Sequence, residues 1–203
     1  MNDVFSQMLA AHTMPGEDGQ RNALYEVMQQ VTLAGLARGG FFQEAAFYGG
    51  TCLRLFHGLK RYSEDMDFSL IKKNPDFQFE KYFPAIIEEA RLLGREVTIT
   101  KKDKRNFGHV ESAFLKDTTD VYNINFQTER SLRIKIEVDT NPPLSFATEQ
   151  RLMVQPYSFM VQCMTLPCLF AGKMHALVYR QWKNRVKGRD WYDFEWYVRW
   201  NHP

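Results

Sequence analysis

Asp65 and Asp67 are the residues whose types and spacing most directly predict chemistry in this sequence. Side chains two positions apart in a strand lie on the same face, so both carboxylates point one way while Met66 and Phe68 face the core. Two converging carboxylates are unfavourable without a cation, and Mg²⁺ binds one or two carboxylates together with phosphate oxygens. An isolated pair of this kind is, however, more often two solvated acids on an edge strand.

A glycine-rich turn upstream of this pair favours the metal interpretation. Gly49-Gly50-Thr51 follows the short apolar run 45–48 and begins a helical segment that Gly58 ends. Glycine allows close approach of the backbone, and free N–H groups at a helix N-terminus attract an anion. The order of strand, glycine turn, helix, loop and Asp-x-Asp strand therefore predicts a site for a metal ion and a phosphate-bearing ligand, with residues 49–51 holding the phosphates.

The elements that must position these residues follow from hydrophobic periodicity and from glycine and proline breaks. Helical spacing of apolar residues predicts helices over 20–38, 51–57, 79–93, 167–182 and 189–200. Short or alternating apolar runs predict strands over 45–48, 65–71, 96–100, 110–115, 121–126 and 132–138. The segment around 151–154 is mixed in character. This order predicts an α+β fold with a mixed β-sheet core flanked by helices.

Composition limits the class of protein. A chain of 203 residues, of which 44% are apolar, is long enough to bury one substantial core. We predict a single domain over 1–203, with an N-terminal helical segment (1–45), a catalytic α/β core (46–145) and a mainly helical C-terminal lobe (146–203). The formal net charge of +2 excludes a disordered acidic chain and a uniformly basic nucleic-acid coat.

Cysteine usage and the N-terminus indicate the compartment. The three cysteines show no C-x-x-C spacing, so reduced thiols in the cytoplasm are expected. The N-terminus has no basic segment before an apolar run, and no stretch approaches the roughly 20 apolar residues of a membrane span. We therefore expect a cytoplasmic protein without a membrane partner.

Two motifs resemble a known family. Residues 49–54 (Gly-Gly-Thr-Cys-Leu-Arg) and 61–68 (Arg-Tyr-Ser-Glu-Asp-Met-Asp-Phe) resemble the signature of the nucleotidyltransferase superfamily, and more narrowly that of the AbiEii/AbiGii toxin family. Near the C-terminus, residues 173–177 and 189–193 resemble the Lys-x-x-Ala-Leu helix and the Arg-Asp-x-x-Asp motif of the same family. The resemblance spans about 47–197 and implies a nucleotidyltransferase-like fold.

The resemblance also implies a third carboxylate on a neighbouring strand, which would complete the metal site with Asp65 and Asp67. Glu137 and Asp139 are the candidates, since both lie on the polar face of the strand 133–139. We favour Glu137, which lies mid-strand, whereas Asp139 stands next to the residues that end the strand. A solvated polar face is the alternative for both acids.

The remaining site residues are implied by the same motifs. Lys173 is expected to reach the triphosphate as a point charge, the alternative being a surface lysine with a buried stem. Asp190 is expected to orient Lys173 or the acceptor, whereas Arg189 and Asp193 would form an ordinary surface pair. Arg61 and Ser63 would bind the triphosphate or fix the loop that presents Asp65.

The function that the resemblance implies is transfer of a nucleoside monophosphate from a nucleoside triphosphate to an acceptor hydroxyl, with Mg²⁺ or Mn²⁺. Transfer RNA or another RNA is the first expectation for the acceptor, with a protein hydroxyl or an aminoglycoside-type small molecule as alternatives. Basic stretches at 91–105 and 173–189 could border an acceptor groove. A cognate antitoxin is a further implied partner, and a catalytically silent binding module is the alternative of a different class.

Overall fold

A single seven-stranded sheet organises the part of the chain that this computed structural model describes, which comprises residues 3–12, 16–101, 119–126, 132–143, 145–179 and 188–199. The strand order is β3-β4-β5-β2-β1-β7-β6. The strands are β1 (Ala45–Tyr48), β2 (Asp65–Leu70), β3 (Val97–Lys101), β4 (Thr119–Phe126), β5 (Leu132–Asp139), β6 (Thr148–Met153) and β7 (Phe159–Met164). Strand β2 is parallel to β5 and antiparallel to β1, so the sheet is mixed.

Helices surround this sheet. They are α1 (Val4–Ala11), α2 (Glu17–Arg38), α3 (Gly49–His57), α4 (Phe83–Leu92), α5 (Leu166–Tyr179) and α6 (Gly188–Arg199), with short 3₁₀ helices at Phe41–Gln43 and Phe79–Tyr82. Helices α2 and α4 pack closely at Gly35, where a Cβ atom would lie 2.6 Å from the Cα of Ile86. Across the described ranges, no helix is long and apolar enough to cross a membrane.

The core follows the alternation of the central strands. In β5, Ile134, Ile136 and Val138 are fully buried, whereas Lys135 and Glu137 lie on the opposite face and remain partly exposed. In β2, Met66 and Phe68 are buried in the same way. These strands therefore place apolar side chains in the core and carboxylates on the other face, as the sequence predicts.

The predicted α+β fold is confirmed, with two corrections to its elements. Helix α1 lies within the predicted N-terminal helical segment (1–45) but was not predicted as a separate helix, and its Phe5 and Met8 belong to the core. The predicted helix 79–93 is a 3₁₀ turn followed by α4, which begins beside Pro84. The predicted strand 110–115 and the end of the predicted helix 167–182 lie outside the described residues.

A β-hairpin that the sequence analysis missed extends the sheet on one side. Strands β6 and β7 pair in antiparallel fashion, and β7 pairs with β1 in parallel, with Phe47 opposite Cys163. Residues 146–203 were expected to be mainly helical, but their first part belongs to the central sheet. Among the described residues of this part of the chain, α5 and α6 match the helical expectation.

Candidate active site

Three adjacent strands bring the predicted acids together on one face of the sheet. In the strand register, Asp67 lies opposite Glu137 of β5 on one side and opposite Tyr48 of β1 on the other. Asp65 is two positions away on the same face, opposite Lys135. Asp139 lies opposite Ser69, two residues further along the strand than Glu137. The register therefore places Glu137, rather than Asp139, directly beside Asp67.

The acids of this face repel one another. Burial raises the pKa of Asp67 to about 7, and the carboxylates of Glu137 and Asp65 add to the increase, while Lys173 and Lys135 oppose it. Burial raises the pKa of the Tyr48 phenol well above its usual range, and the carboxylates of Asp67, Asp139 and Glu137 add to this increase. Glu137 forms an ion pair with Lys135. Among the described residues, Lys173 and Lys135 offset part of the excess negative charge of this face.

The glycine turn fits against these acids because it lacks side chains. Gly49 has a φ of +82°, and a Cβ atom there would lie 2.2 Å from Oδ2 of Asp67. A Cβ atom on Gly50 would lie 2.8 Å from Nη2 of Arg61 and 2.9 Å from Oγ of Ser63. Helix α3 begins at Gly49, so its N-terminus lies at the carboxylate of Asp67. The structure therefore brings 49–50, Arg61 and Ser63 to one place.

The side chain of Thr51 binds the main chain at the start of β2. It is fully buried, and its hydroxyl donates a hydrogen bond to the main-chain carbonyl of Asp65. This hydroxyl therefore faces the segment that presents Asp65 and not an open phosphate site. Only the main-chain N–H of Thr51 remains a candidate for phosphate binding.

A compact ion cluster joins the loop before β2 to the two C-terminal helices. We use the name ion cluster for Arg61, Lys173, Asp190 and Asp193. Both carboxylate oxygens of Asp193 accept hydrogen bonds from Arg61, each at 2.6 Å. The Nζ of Lys173 lies 2.6 Å from Oδ2 of Asp193 and 3.2 Å from Oδ1 of Asp190. Two cations and two buried carboxylates therefore balance each other here.

This cluster corrects one expectation from the sequence and excludes one alternative. Asp193 was expected to pair with Arg189 on the helix surface, but it is fully buried and pairs with Arg61 and Lys173. Lys173 is not a surface lysine, because its side chain is only 15% exposed and contacts two carboxylates. The spacing of Asp190 and Asp193, three positions apart on a helix, was the signal that both could face the same partner.

Tyr48 and Gln29 are site residues that the sequence analysis did not identify. Tyr48 was assigned only to an apolar strand, yet its register puts it beside Asp67. Gln29 is fully buried in α2, and its Nε2 donates to the carbonyls of Ser63 and Glu64. A polar residue inside an otherwise apolar helical stripe was the available signal for Gln29.

The fit of a divalent metal rests on the donors and on the space around them. Asp65, Asp67 and Glu137 supply the oxygen ligands that Mg²⁺ and Mn²⁺ accept, and burial together with their mutual repulsion raises the pKa of Asp67 to about 7. Gly49 keeps the space beside Asp67 free of a side chain. No three His, Cys, Asp or Glu side chains within the described residues are already arranged to hold an ion, and Glu137 contacts Lys135 instead. The donor chemistry fits, and Glu137 would have to leave Lys135 to join the other two acids.

Comparison with known proteins identifies the family. The model of the family described as nucleotidyl transferase AbiEii toxin, type IV toxin-antitoxin system, matches residues 31–203. The chain belongs to this family. The resemblance found in the sequence motifs is thereby confirmed. No curated protein matches the chain.

Solved structures support the AbiEii fold at low sequence identity. JHP933 from Helicobacter pylori is 18% identical with a TM-score of 0.59, over 88% of this chain and 66% of that protein. MenT4, a nucleotidyltransferase toxin from Mycobacterium tuberculosis, is 18% identical with a TM-score of 0.61, over 95% of this chain and 64% of that protein. The AbiEii chain thus spans slightly less than two thirds of the length of these two relatives, and at this identity they show the fold alone.

Proposed function

We propose that this AbiEii-family chain is a metal-dependent nucleotidyltransferase toxin, which moves a nucleoside monophosphate from a nucleoside triphosphate to an acceptor hydroxyl. The observation that carries the proposal is the juxtaposition of Asp67, Glu137 and the Gly49 turn. Two facing carboxylates on neighbouring strands meet the N-terminus of α3, where a side chain would collide with Asp67. A negatively charged face beside free helix N–H groups suits a metal ion together with a triphosphate.

The residues that would hold the metal ion are Asp65, Asp67 and Glu137. When bound, Mg²⁺ or Mn²⁺ would supply positive charge that neutralises the triphosphate and the acids together. The N–H groups at the start of α3 would hold phosphate oxygens through hydrogen bonds, since no side chain separates them from the site. The acceptor oxygen would attack the α-phosphorus and pyrophosphate would leave.

The ion cluster would orient the nucleotide and also hold the loop in place. Lys173 offsets the charge of Asp67 and is held by Asp190 and Asp193, so its ammonium group has a fixed position. A fixed cation stabilises developing charge on a triphosphate without further reorganisation. Arg61 is neutralised by Asp193, which supports its role in fixing the loop before Asp65 over direct binding of phosphate.

RNA, with transfer RNA first, is the proposed acceptor, and a cognate antitoxin is the proposed protein partner, because the family is a type IV toxin-antitoxin family. The cytoplasm is the proposed compartment, in keeping with the free thiols of Cys52, Cys163 and Cys168. The two predicted basic stretches fall partly outside the described residues, so the proposed acceptor groove rests on the sequence.

Incubation of the protein with each labelled nucleoside triphosphate, Mg²⁺ and total cellular RNA tests the proposal. We expect label in RNA and release of pyrophosphate, both abolished by EDTA. Asp67→Asn serves as the matched inactive control because it removes one charge and keeps the shape. Binding of a triphosphate without any transfer to RNA, protein or aminoglycoside acceptors would indicate a silent binding module and contradict the proposal.

A further inference from the structure

Side chains of α2 and α3 donate hydrogen bonds to the main chain of the segment that leads to Asp65. Three consecutive main-chain carbonyls, those of Ser63, Glu64 and Asp65, each accept a hydrogen bond from a side chain. Thr51 donates to the carbonyl of Asp65. Gln29 donates to the other two through Nε2, at 2.8 Å to Ser63 and 3.3 Å to Glu64.

Gln29 belongs to a helix that contributes no acid to the site. It lies in α2, fully buried, and is separated from Ser63 by 34 positions in the chain. Its other amide atom, Oε1, is buried and has no hydrogen-bond partner among the described residues. If the amide were rotated, Oε1 would face two carbonyl oxygens, so the donor orientation is the favourable one.

The unpartnered Oε1 makes an ordinary packing role a poor explanation of this residue. A buried polar atom without a partner is unfavourable, and a methionine of similar size would avoid it. The contribution of Gln29 comes from its Nε2, which donates hydrogen bonds to the carbonyls of Ser63 and Glu64, the two residues before Asp65.

We infer that Gln29 is a positioning residue of the active site, which fixes the main chain at 63–64 so that Asp65 and Ser63 lie beside Asp67 and the glycine turn. This inference rests on the proposed function. Gln29 touches neither substrate nor metal in this account. It acts through the main chain, and Thr51 holds the next carbonyl in the same manner.

The test compares Gln29→Met with Gln30→Met. Gln30 is the neighbouring residue of α2, is also buried, also has an unpartnered Oε1, and contacts His12 in place of the Asp65 segment. Three measurements apply to both variants: Mn²⁺ binding to the free protein by calorimetry, amide hydrogen exchange across 63–67, and kcat and KM for transfer. A melting curve for each variant reports general destabilisation.

We expect Gln29→Met to increase exchange at 63–67, to weaken Mn²⁺ binding several-fold, and to lower kcat roughly 10- to 100-fold, as a small misplacement of reacting groups does. Gln30→Met should leave exchange at 63–67, Mn²⁺ binding and kcat unchanged, whatever its effect on the melting temperature. Should Gln29→Met fail to fold, Gln29→Asn keeps the amide but shortens its reach by one methylene, and gives the same comparison.

Equal behaviour of the two variants would overturn the inference while leaving the proposed function intact. If the wild-type protein neither binds Mn²⁺ nor transfers nucleotide, the proposed function is wrong. Hydrogen exchange at 63–67 then still decides whether Gln29 fixes this segment, since it requires no ligand.

Discussion

The two charged regions of the site differ in how far their negative charges are balanced by positive ones. On the sheet, Asp65, Asp67 and Glu137 place three carboxylates together, and burial with mutual repulsion raises the pKa of Asp67 to about 7. In the ion cluster, two cations match two buried carboxylates at distances of 2.6 to 3.2 Å. The first region is left with uncompensated charge, and the second is neutral.

This difference predicts how substitutions in each region affect stability, while Lys173 of the ion cluster also acts on the triphosphate in the proposed function. Uncompensated carboxylates are unfavourable in the free protein and become favourable when a cation binds. A buried neutral cluster gains nothing from a cation, but removal of one partner leaves an unpaired charge behind. Substitutions in the two regions should therefore have opposite effects on stability.

The largest effect is expected for Asp193→Asn in the ion cluster. The change leaves Arg61, whose side chain is only 18% exposed, without its carboxylate partner. Breaking a buried ion pair of this kind lowers the free energy of unfolding by about 3–5 kcal/mol. Urea unfolding measures this loss of unfolding free energy, with Glu195→Gln on the exposed face of the same helix as the control. A loss of stability no larger than that of the control would show that the ion cluster does not stabilise the fold.

The next effect is expected for Asp67→Asn on the sheet, and it concerns activity. Loss of one metal-binding charge should lower nucleotide transfer by at least roughly 10²-fold. Stability should stay the same or rise, because one repelling carboxylate disappears. Transfer assays beside melting curves measure both, with the exposed Asp76→Asn as the control. Transfer close to the wild-type rate would exclude Asp67 from the metal site.

A smaller effect on nucleotide transfer should distinguish the roles of Glu137 and Asp139. Glu137 faces Asp67 in the register, whereas Asp139 faces Ser69. We expect Glu137→Gln to lower transfer by at least about tenfold, while Asp139→Asn changes it little. Parallel steady-state assays at saturating metal decide the matter. The reverse result would show that Asp139 is the third carboxylate.

The smallest effect is a dependence of stability on pH without divalent metal. The folded protein raises the pKa of Asp67 from its usual 3.8 to about 7, so it binds this proton more tightly than the unfolded chain does. The contribution to stability is present at low pH and is lost as pH rises through about 7. In EDTA, Asp67→Asn should therefore melt a few degrees above the wild type at pH 8, with the difference shrinking toward pH 5. A constant difference across this range would contradict the raised pKa.

The sequence predicted the sheet region better than the ion cluster, for a physical reason. The pairs Asp65 with Asp67 and Gly49 with Gly50 are local, and the alternation of β2 and β5 fixes which face each side chain takes. The contact of Arg61 with Asp193 spans 132 positions and depends on tertiary packing that no local period encodes. Spacing alone suggested a partner for Asp193 on its own helix, and that prediction was wrong.

The missed hairpin has a similar explanation. Strand β6 (Thr148–Met153) has mostly exposed or half-buried side chains, so it carries no clear hydrophobic alternation. Strand β7 buries only Val161 and Cys163, which is too short a pattern to predict a strand. Main-chain pairing of β7 with β1, and of β6 with β7, stabilises the hairpin, and such pairing leaves little trace in side-chain periodicity.

The long separation between Arg61 and Asp193 has a consequence for the timing of protein synthesis. A ribosome makes the N-terminal part of a domain first, so the glycine turn and Asp67 emerge well before α6 is translated. Until Asp193 has emerged, Arg61 and Lys173 lack the carboxylate that joins them. A nascent chain thus contains Asp65, Asp67 and Glu137 before the ion cluster can form. Translation of α6 completes it.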